Sequence, residues 1–115
     1  MKKLLIVLFS ILLLAGCGNK VEENNKLQEI KNENNYTIVD VRTPEEYQEG
    51  HLKDALNIPY DTIDESVNLD KNKTILVYCK SGARSKKAYN SLTNLGYKVY
   101  DMGAYDKINE FEKVK

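Results

Sequence analysis

One cysteine with small and basic neighbours is the part of the chain best suited to chemistry. It opens the segment from 79 to 85, here named the Cys79 loop, which consists of Cys79, Lys80, Ser81, Gly82, Ala83, Arg84 and Ser85. Unpaired N–H groups at a helix N-terminus stabilise negative charge, so a cysteine just ahead of them has a lowered pKa. Gly82 lets successive amides curl around the sulfur. We therefore expect a thiolate nucleophile in a pocket for a small anion.

The neighbours of the cysteine allow two interpretations. Cys79 could be a buried structural thiol at a strand end, since cysteine is among the most buried residue types. The glycine, arginine and serine at these spacings favour function instead, with serine hydroxyls as additional donors and Lys80 and Arg84 as nearby positive charge. Lys86 and Lys87 are better explained as a solvated helix face.

Alternating strands and helices are predicted to position the Cys79 loop. β-branched runs predict strands over 36–41, 55–58, 73–78 and 97–100, and helical patterns predict helices over 26–32, 44–49, 60–67, 85–95 and 105–111. Thr43, Pro44 and Glu46 form a capping box, while Gly50 and Gly96 end helices. This order predicts an α/β protein with an open, mainly parallel sheet flanked by helices on both faces. Such sheets bind ligands at the carboxyl ends of their strands.

The N-terminus has the pattern of an export signal. Lys2 and Lys3 precede an apolar run from 4 to 15, which as a helix rises about 18 Å and is too short to cross a bilayer. The run ends in Leu14-Ala15-Gly16-Cys17, which resembles the bacterial lipobox. The resemblance implies cleavage after residue 16, lipidation of Cys17 and a polar tether over 17–25. The alternative is an ordinary signal peptide with an incidental cysteine.

Composition limits the possible partners. The 115 residues allow one folded domain, here 26–115. Without Lys2 and Lys3 the 17 basic residues fall to 15 against 17 acidic ones, a net charge of −2, so we expect no nucleic-acid partner. We expect a monomer that is anchored to the extracytoplasmic face of the cell membrane and needs neither metal nor cofactor.

Three ordered motifs resemble those of the rhodanese-like domain family. The first is 78–85 around Cys79, and the second runs from Asp40 through Arg42, Glu46 and His51 to Pro59. The third is 95–103. The resemblance spans about residues 26–110, but Gly103-Ala104 replaces the family's usual pair of glycines, and the chain lacks the tryptophan that often follows.

The resemblance implies sulfur transfer. A thiosulfate-like anionic donor would give its outer sulfur to Cys79, and a thiol or cyanide-like acceptor would remove it. The amides from Lys80 to Ser85, including those of Ser81, Gly82 and Ala83, would hold the sulfur, and Arg84 would bind the anionic end of the donor. Four residues separate Cys79 from Arg84, as in sulfurtransferases, whereas related phosphatases have five.

Four residues of the second motif, Asp40, Arg42, Glu46 and His51, are expected to support the structure. We expect Arg42 and Glu46 to form an ion pair between strand and helix. His51 is the only histidine, but persulfide transfer by a thiolate needs no general base, so a structural role is favoured over a catalytic one. Two other functions remain open: a module that binds persulfide without turnover, and a phosphatase, which the loop length disfavours.

Overall fold

The computed structural model describes residues 19–115, with side chains from residue 25 onward, and divides the chain into two units after Glu33. In the first unit, helix α1 (Asn19–Glu33) begins at Asn19 rather than at the predicted Lys26. Residues 19–25 contain no proline or glycine to prevent helix formation, so most of the predicted tether is helical. Leu27 and Ile30 are its buried side chains, as their spacing predicts. The predicted export signal and Cys17 lie outside the described residues.

The second unit, 34–115, is built on a four-stranded sheet. Its strands are all parallel and lie in the order β3-β1-β4-β5: β1 (Tyr36–Asp40), β3 (Leu56–Asn57), β4 (Thr74–Cys79) and β5 (Lys98–Ala104). The other elements are α2 (Pro44–Glu49), β2 (His51–Leu52), α3 (Ala83–Asn94), β6 (Lys113–Val114) and two 3-10 turns, Tyr60–Thr62 and Tyr105–Lys107. The predicted α/β class with a mainly parallel sheet is confirmed.

Strand β4 lies at the centre of the core. All six of its residues are buried, because it pairs with β1 on one side and β5 on the other. Helix α3 packs against β4 and β5 and buries Ser85, Ala88 and Leu92. It ends before Gly96, whose φ of +97° is the left-handed conformation that favours glycine. The strand and the helix on either side of the Cys79 loop are therefore both anchored in the core.

The predicted start of helix α2 is confirmed in detail. Thr43 is the N-cap, and its side chain accepts the N–H of Glu46 while the Glu46 carboxylate accepts the N–H of Thr43 at 3.0 Å. Pro44 occupies the first turn, where it displaces no hydrogen bond. The capping box fixes the Glu46 carboxylate at the N-terminus of this helix.

Two predicted helices are wrong. The segment 60–67 forms only the turn Tyr60–Thr62, because Asp64 accepts the N–H of Ser66 at 2.8 Å and so holds the chain in a local turn. The segment 105–111 forms only the turn Tyr105–Lys107, after which the chain extends into β6 and pairs antiparallel with β2. No helix within residues 19–115 is long and apolar enough to span a bilayer.

Candidate active site

The Cys79 sulfur lies where strand β4 ends and helix α3 begins. Its Sγ accepts the N–H of Gly82 at 3.0 Å and the N–H of Ser85 at 3.2 Å. Gly82 is the N-cap of α3 and has a φ of +104°, so the curl that turns its amide toward the sulfur favours glycine. The predicted cradle of main-chain donors therefore forms around a free thiol.

The surroundings of the sulfur favour its ionised form. Cys79 is fully buried, and burial by itself raises the pKa of a thiol. The hydroxyl and amide of Ser85, together with the amides of Gly82 and Ser81, outweigh burial and lower the pKa of Cys79. The Ser85 hydroxyl can donate to Sγ or to the Gly82 carbonyl, 3.1 Å away. Cys79 is thus buried, as a structural thiol would be, and its sulfur also has the main-chain donors that a functional thiol requires.

The remaining predicted residues of the loop lie on its outer side. Lys80 and Ala83 are exposed, and Ala83 is the first residue of helix α3. Lys86 and Lys87 are also exposed, and the Lys87 ammonium lies 5.6 Å from the centre of the Tyr60 ring. Their exposed position agrees with a solvated helix face. Lys80 and Arg84 are the two cations within the Cys79 loop.

The predicted ion pair between Arg42 and Glu46 is wrong. Arg42 is buried and instead binds Asp40, with Nη2 2.6 Å from Oδ2 and Nε 2.9 Å from Oδ1. It also donates to the Gly50 carbonyl at 2.6 Å, and Tyr78 donates to Asp40 at 2.8 Å. The fully buried Asp40 carboxylate accepts from both Arg42 and Tyr78, so Arg42 pairs with Asp40 and not with Glu46.

Glu46 binds Arg84 instead. The two terminal nitrogens of Arg84 donate to the two carboxylate oxygens of Glu46 at 2.8 and 3.0 Å. This hydrogen bonding is the main reason that the pKa of Glu46 falls to about 2, so the carboxylate is ionised at any pH near neutrality. The sequence placed Arg84 toward a donor anion, but the structure shows that it also joins the Cys79 loop to helix α2.

His51 contacts helix α2 and not the sulfur. Its Nδ1 lies 2.8 Å from the Tyr47 carbonyl oxygen, and its ring stacks on the Tyr47 ring with centroids 3.8 Å apart. These contacts favour the structural interpretation of His51. Within the described residues, no cluster of three or more His, Cys, Asp or Glu side chains is arranged to hold a metal ion.

Sequence reasoning missed the cavity beside the loop. A space of about 220 Å³ is lined by Arg42, Glu46, Glu49, Gly50, Lys80, Tyr105 and Asp106. Tyr105 stacks on Tyr78, with centroids 5.6 Å apart, and lies 4.4 Å from the Arg42 guanidinium carbon. No local pattern marks Tyr105, because its contacts come from residues distant in sequence. The departure at Ala104 is tolerated, since its φ of −86° needs no glycine.

The fold and the site together define a class of protein. It is an α/β protein in which a cysteine with a lowered pKa, at the carboxyl end of a central strand, is held by the amides of a short loop and the N-terminus of a helix. Such a cradle suits a nucleophilic sulfur that carries a negatively charged group.

Comparison with known proteins agrees with this class. The rhodanese-like domain family matches residues 23–110. The thiosulfate sulfurtransferase PspE of Escherichia coli (strain K12) is 42% identical over 62 residues, covering 51% of this chain and 60% of that protein. A sulfurtransferase of Allochromatium vinosum is 32% identical over 80 residues, covering 69% of this chain and 75% of that one. A solved structure described as a rhodanese with anions from E. coli has a TM-score of 0.60 and 39% identity, covering 70% of this chain and 98% of that one.

The chain belongs to the rhodanese-like domain family. The predicted enzyme class, a rhodanese-type sulfurtransferase, is confirmed at the level of the family. The chain spans less than two thirds of the length of the E. coli PspE relative and three quarters of the A. vinosum relative. The family match begins at residue 23, inside helix α1 and slightly before the predicted domain start at 26.

Proposed function

We propose that this chain transfers a sulfane sulfur from an anionic, thiosulfate-like donor to a thiophilic acceptor through a persulfide on Cys79. The observation that carries the proposal is the pair of main-chain N–H groups, from Gly82 and Ser85, that point at the Cys79 sulfur. The cradle stabilises negative charge on this sulfur while Cys79 is a thiolate, the form that attacks the donor. Relatives named as sulfurtransferases support the same reaction.

The proposed reaction has two displacements at sulfur. The Cys79 thiolate attacks the outer sulfur of the donor, the donor's S–S bond breaks, and sulfite leaves with the bonding electron pair. The acceptor, cyanide or a thiol, then attacks the outer sulfur of the persulfide, and the Cys79 thiolate is the leaving group. No external oxidant or reductant is needed, because each displacement exchanges one bond to the transferred sulfur for another, and the bonding pair leaves on sulfite in the first step and on the Cys79 thiolate in the second.

The donor's anionic end is proposed to bind Arg84 and Lys80. Lys80 is exposed and lines the cavity of about 220 Å³, so its ammonium group is accessible from that side of the loop. Arg84 has five N–H donors, and the contacts with Glu46 use one on each of two nitrogens. Its Nε–H and one N–H on each terminal nitrogen take no part in this pair.

Loading with thiosulfate tests the proposal directly. After incubation and removal of excess donor, intact mass spectrometry is expected to show a gain of about 32 Da, one sulfur atom, and peptide mapping is expected to place it on Cys79. Cyanide should then remove the added mass and produce thiocyanate over repeated turnovers. A gain without turnover would favour a persulfide-binding module for a partner protein, whereas no gain on Cys79 would contradict both.

The same assay separates the phosphatase alternative. An aryl phosphate is expected to remain intact, since the loop between Cys79 and Arg84 has the four-residue length of sulfurtransferases. Hydrolysis that requires Cys79 would argue for the phosphatase.

We also propose that the chain is a lipoprotein anchored through Cys17 on the extracytoplasmic face of the membrane. The apolar run from 4 to 15 and the lipobox-like Leu14-Ala15-Gly16-Cys17 support this proposal. Protein expressed in bacteria fed with labelled palmitate is expected to carry the label and partition with membranes, while the Cys17→Ser variant carries none. Equal labelling of the two proteins would contradict lipidation at this residue. Two or more acyl chains would give stable attachment, as one chain would not.

A further inference from the structure

The contact between Glu46 and Arg84 places a negative charge at the edge of the Cys79 loop. Both terminal nitrogens of Arg84 are bound, at 2.8 and 3.0 Å, and the two side chains are only 27% and 25% exposed. A planar guanidinium binds carboxylates and other oxyanions through this same pair of nitrogens. The face of Arg84 best suited to an anionic donor is therefore occupied by a group of the chain itself.

The Glu46 carboxylate, which would compete with a donor anion for Arg84, is held in place by further hydrogen bonds. One of its oxygens, Oε1, also accepts the N–H of Thr43 at 3.0 Å and the hydroxyl of Thr43 at 3.2 Å, in the capping box of helix α2. The carboxylate is thus fixed at a helix end and needs little further ordering to bind Arg84. A donor that uses the two bound nitrogens must displace it.

The same carboxylate faces the approach to the loop. Glu46 lines the cavity of about 220 Å³ together with Lys80, and Glu49 and Asp106 line the same space. Arg42 also lines the cavity, but its charge is balanced by Asp40 at 2.6 Å. The charge of Glu46 is balanced by Arg84 in the same way. Glu49 and Asp106 then face this space against Lys80, the lining cation without a salt bridge to any described residue, so the space keeps an excess negative charge that disfavours the approach of a doubly charged anion.

We propose that Glu46 is a specificity-determining residue, which competes with the donor for Arg84 and so disfavours dianionic sulfur donors relative to monoanionic ones. The inference rests on the proposed sulfur transfer at Cys79 and adds the class of donor. The favoured donor carries its outer sulfur on a group with at most one negative charge, such as a thiosulfonate or an organic persulfide.

Two donors of different charge provide the test. Thiosulfate is a dianion, and methanethiosulfonate is a monoanion that presents a similar outer sulfur and leaves as a sulfinate. Replacing Glu46 by glutamine removes the charge but keeps a side chain that forms a capping box, so the variant is expected to fold. We expect E46Q to raise the ratio of kcat/KM for thiosulfate to that for methanethiosulfonate by roughly threefold to fivefold, the upper range for a partly exposed ion pair.

The expected gain lies in the KM for thiosulfate, because the competition affects donor binding and not the displacement at sulfur. Glu45→Gln is the matched control: it lies in the same helical turn, is exposed, and changes the net charge equally. An unchanged or lower ratio in E46Q, or an equal rise in E45Q, would overturn the role of Glu46 while leaving sulfur transfer intact. Failure of the unaltered protein to load sulfur from either donor would instead count against the proposed function.

Discussion

Replacement of Cys79 by serine is expected to abolish both persulfide formation and turnover with cyanide. The fall in kcat should be on the order of a thousandfold or more, because a serine hydroxyl is not ionised near neutral pH and is a far weaker nucleophile toward sulfur. The cradle cannot compensate, since the amides of Gly82 and Ser85 stabilise an anion that serine does not form. Thiocyanate production and intact mass measure the two effects.

The matched control for this prediction is the other cysteine of the chain. Cys17→Ser removes a thiol from the predicted lipid anchor, outside the described residues, and is expected to leave the rate of the solubilised protein unchanged. Circular dichroism should show that Cys79→Ser is folded, since serine and cysteine have similar size. Persulfide loading that survives in Cys79→Ser and disappears in Cys17→Ser would contradict the assignment of Cys79 as the sulfur-carrying residue.

The second large effect concerns stability. Replacing Arg42 by methionine is expected to lower the free energy of unfolding by about 3–5 kcal/mol, the usual result of leaving a buried charge without its partner. Asp40 is fully buried and would lose the three hydrogen bonds that the Arg42 side chain donates. Tyr78 and the main-chain N–H of residue 42 would still donate to it, but neutral donors alone do not balance a buried carboxylate. Urea unfolding measures the change.

Two variants provide the controls: one removes both charges of the buried ion pair, and the other breaks an ion pair that is exposed. The double variant Asp40→Asn, Arg42→Met removes both charges and should recover part of the lost stability, because no uncompensated charge remains. Lys53→Met breaks a pair with Glu112 that spans 3.8 Å between side chains 60% and 67% exposed, and should cost less than about 1 kcal/mol. Equal losses in Arg42→Met and Lys53→Met would show that burial does not decide the strength of the Asp40 pair.

Local sequence was sufficient to predict the main-chain donors around Cys79. A strand, a loop with glycine and a helix start are encoded within about fifteen neighbouring residues, and the same residues place Gly82 and Ser85 against the sulfur. The capping box of helix α2 was predicted for the same reason, because Thr43 and Glu46 lie three positions apart. These two features, both formed by neighbours in sequence, were predicted correctly, whereas the local turn at Asp64 and Ser66 was not.

Features formed by residues that are distant in sequence were not predicted. Arg42 has carboxylates on both sides of it in sequence, at Asp40 and at Glu46, and spacing alone cannot choose between them. The choice follows from the fold, which buries Asp40 beneath Tyr78 and turns Glu46 toward Arg84. The pairing of β2 with β6 was missed because strands of two residues show no periodicity. The cavity beside Tyr105 was missed for a similar reason, because its lining residues come from distant parts of the sequence.

The complete burial of Cys79 separates acidity from accessibility. Hydrogen bonds favour the charged form of the sulfur, while its burial limits contact with bulky oxidants and with the thiols of other proteins. A reagent small enough to reach the buried sulfur meets a thiol whose pKa is already lowered. The burial of Cys79 therefore selects reagents by size before any of them can react with the thiol.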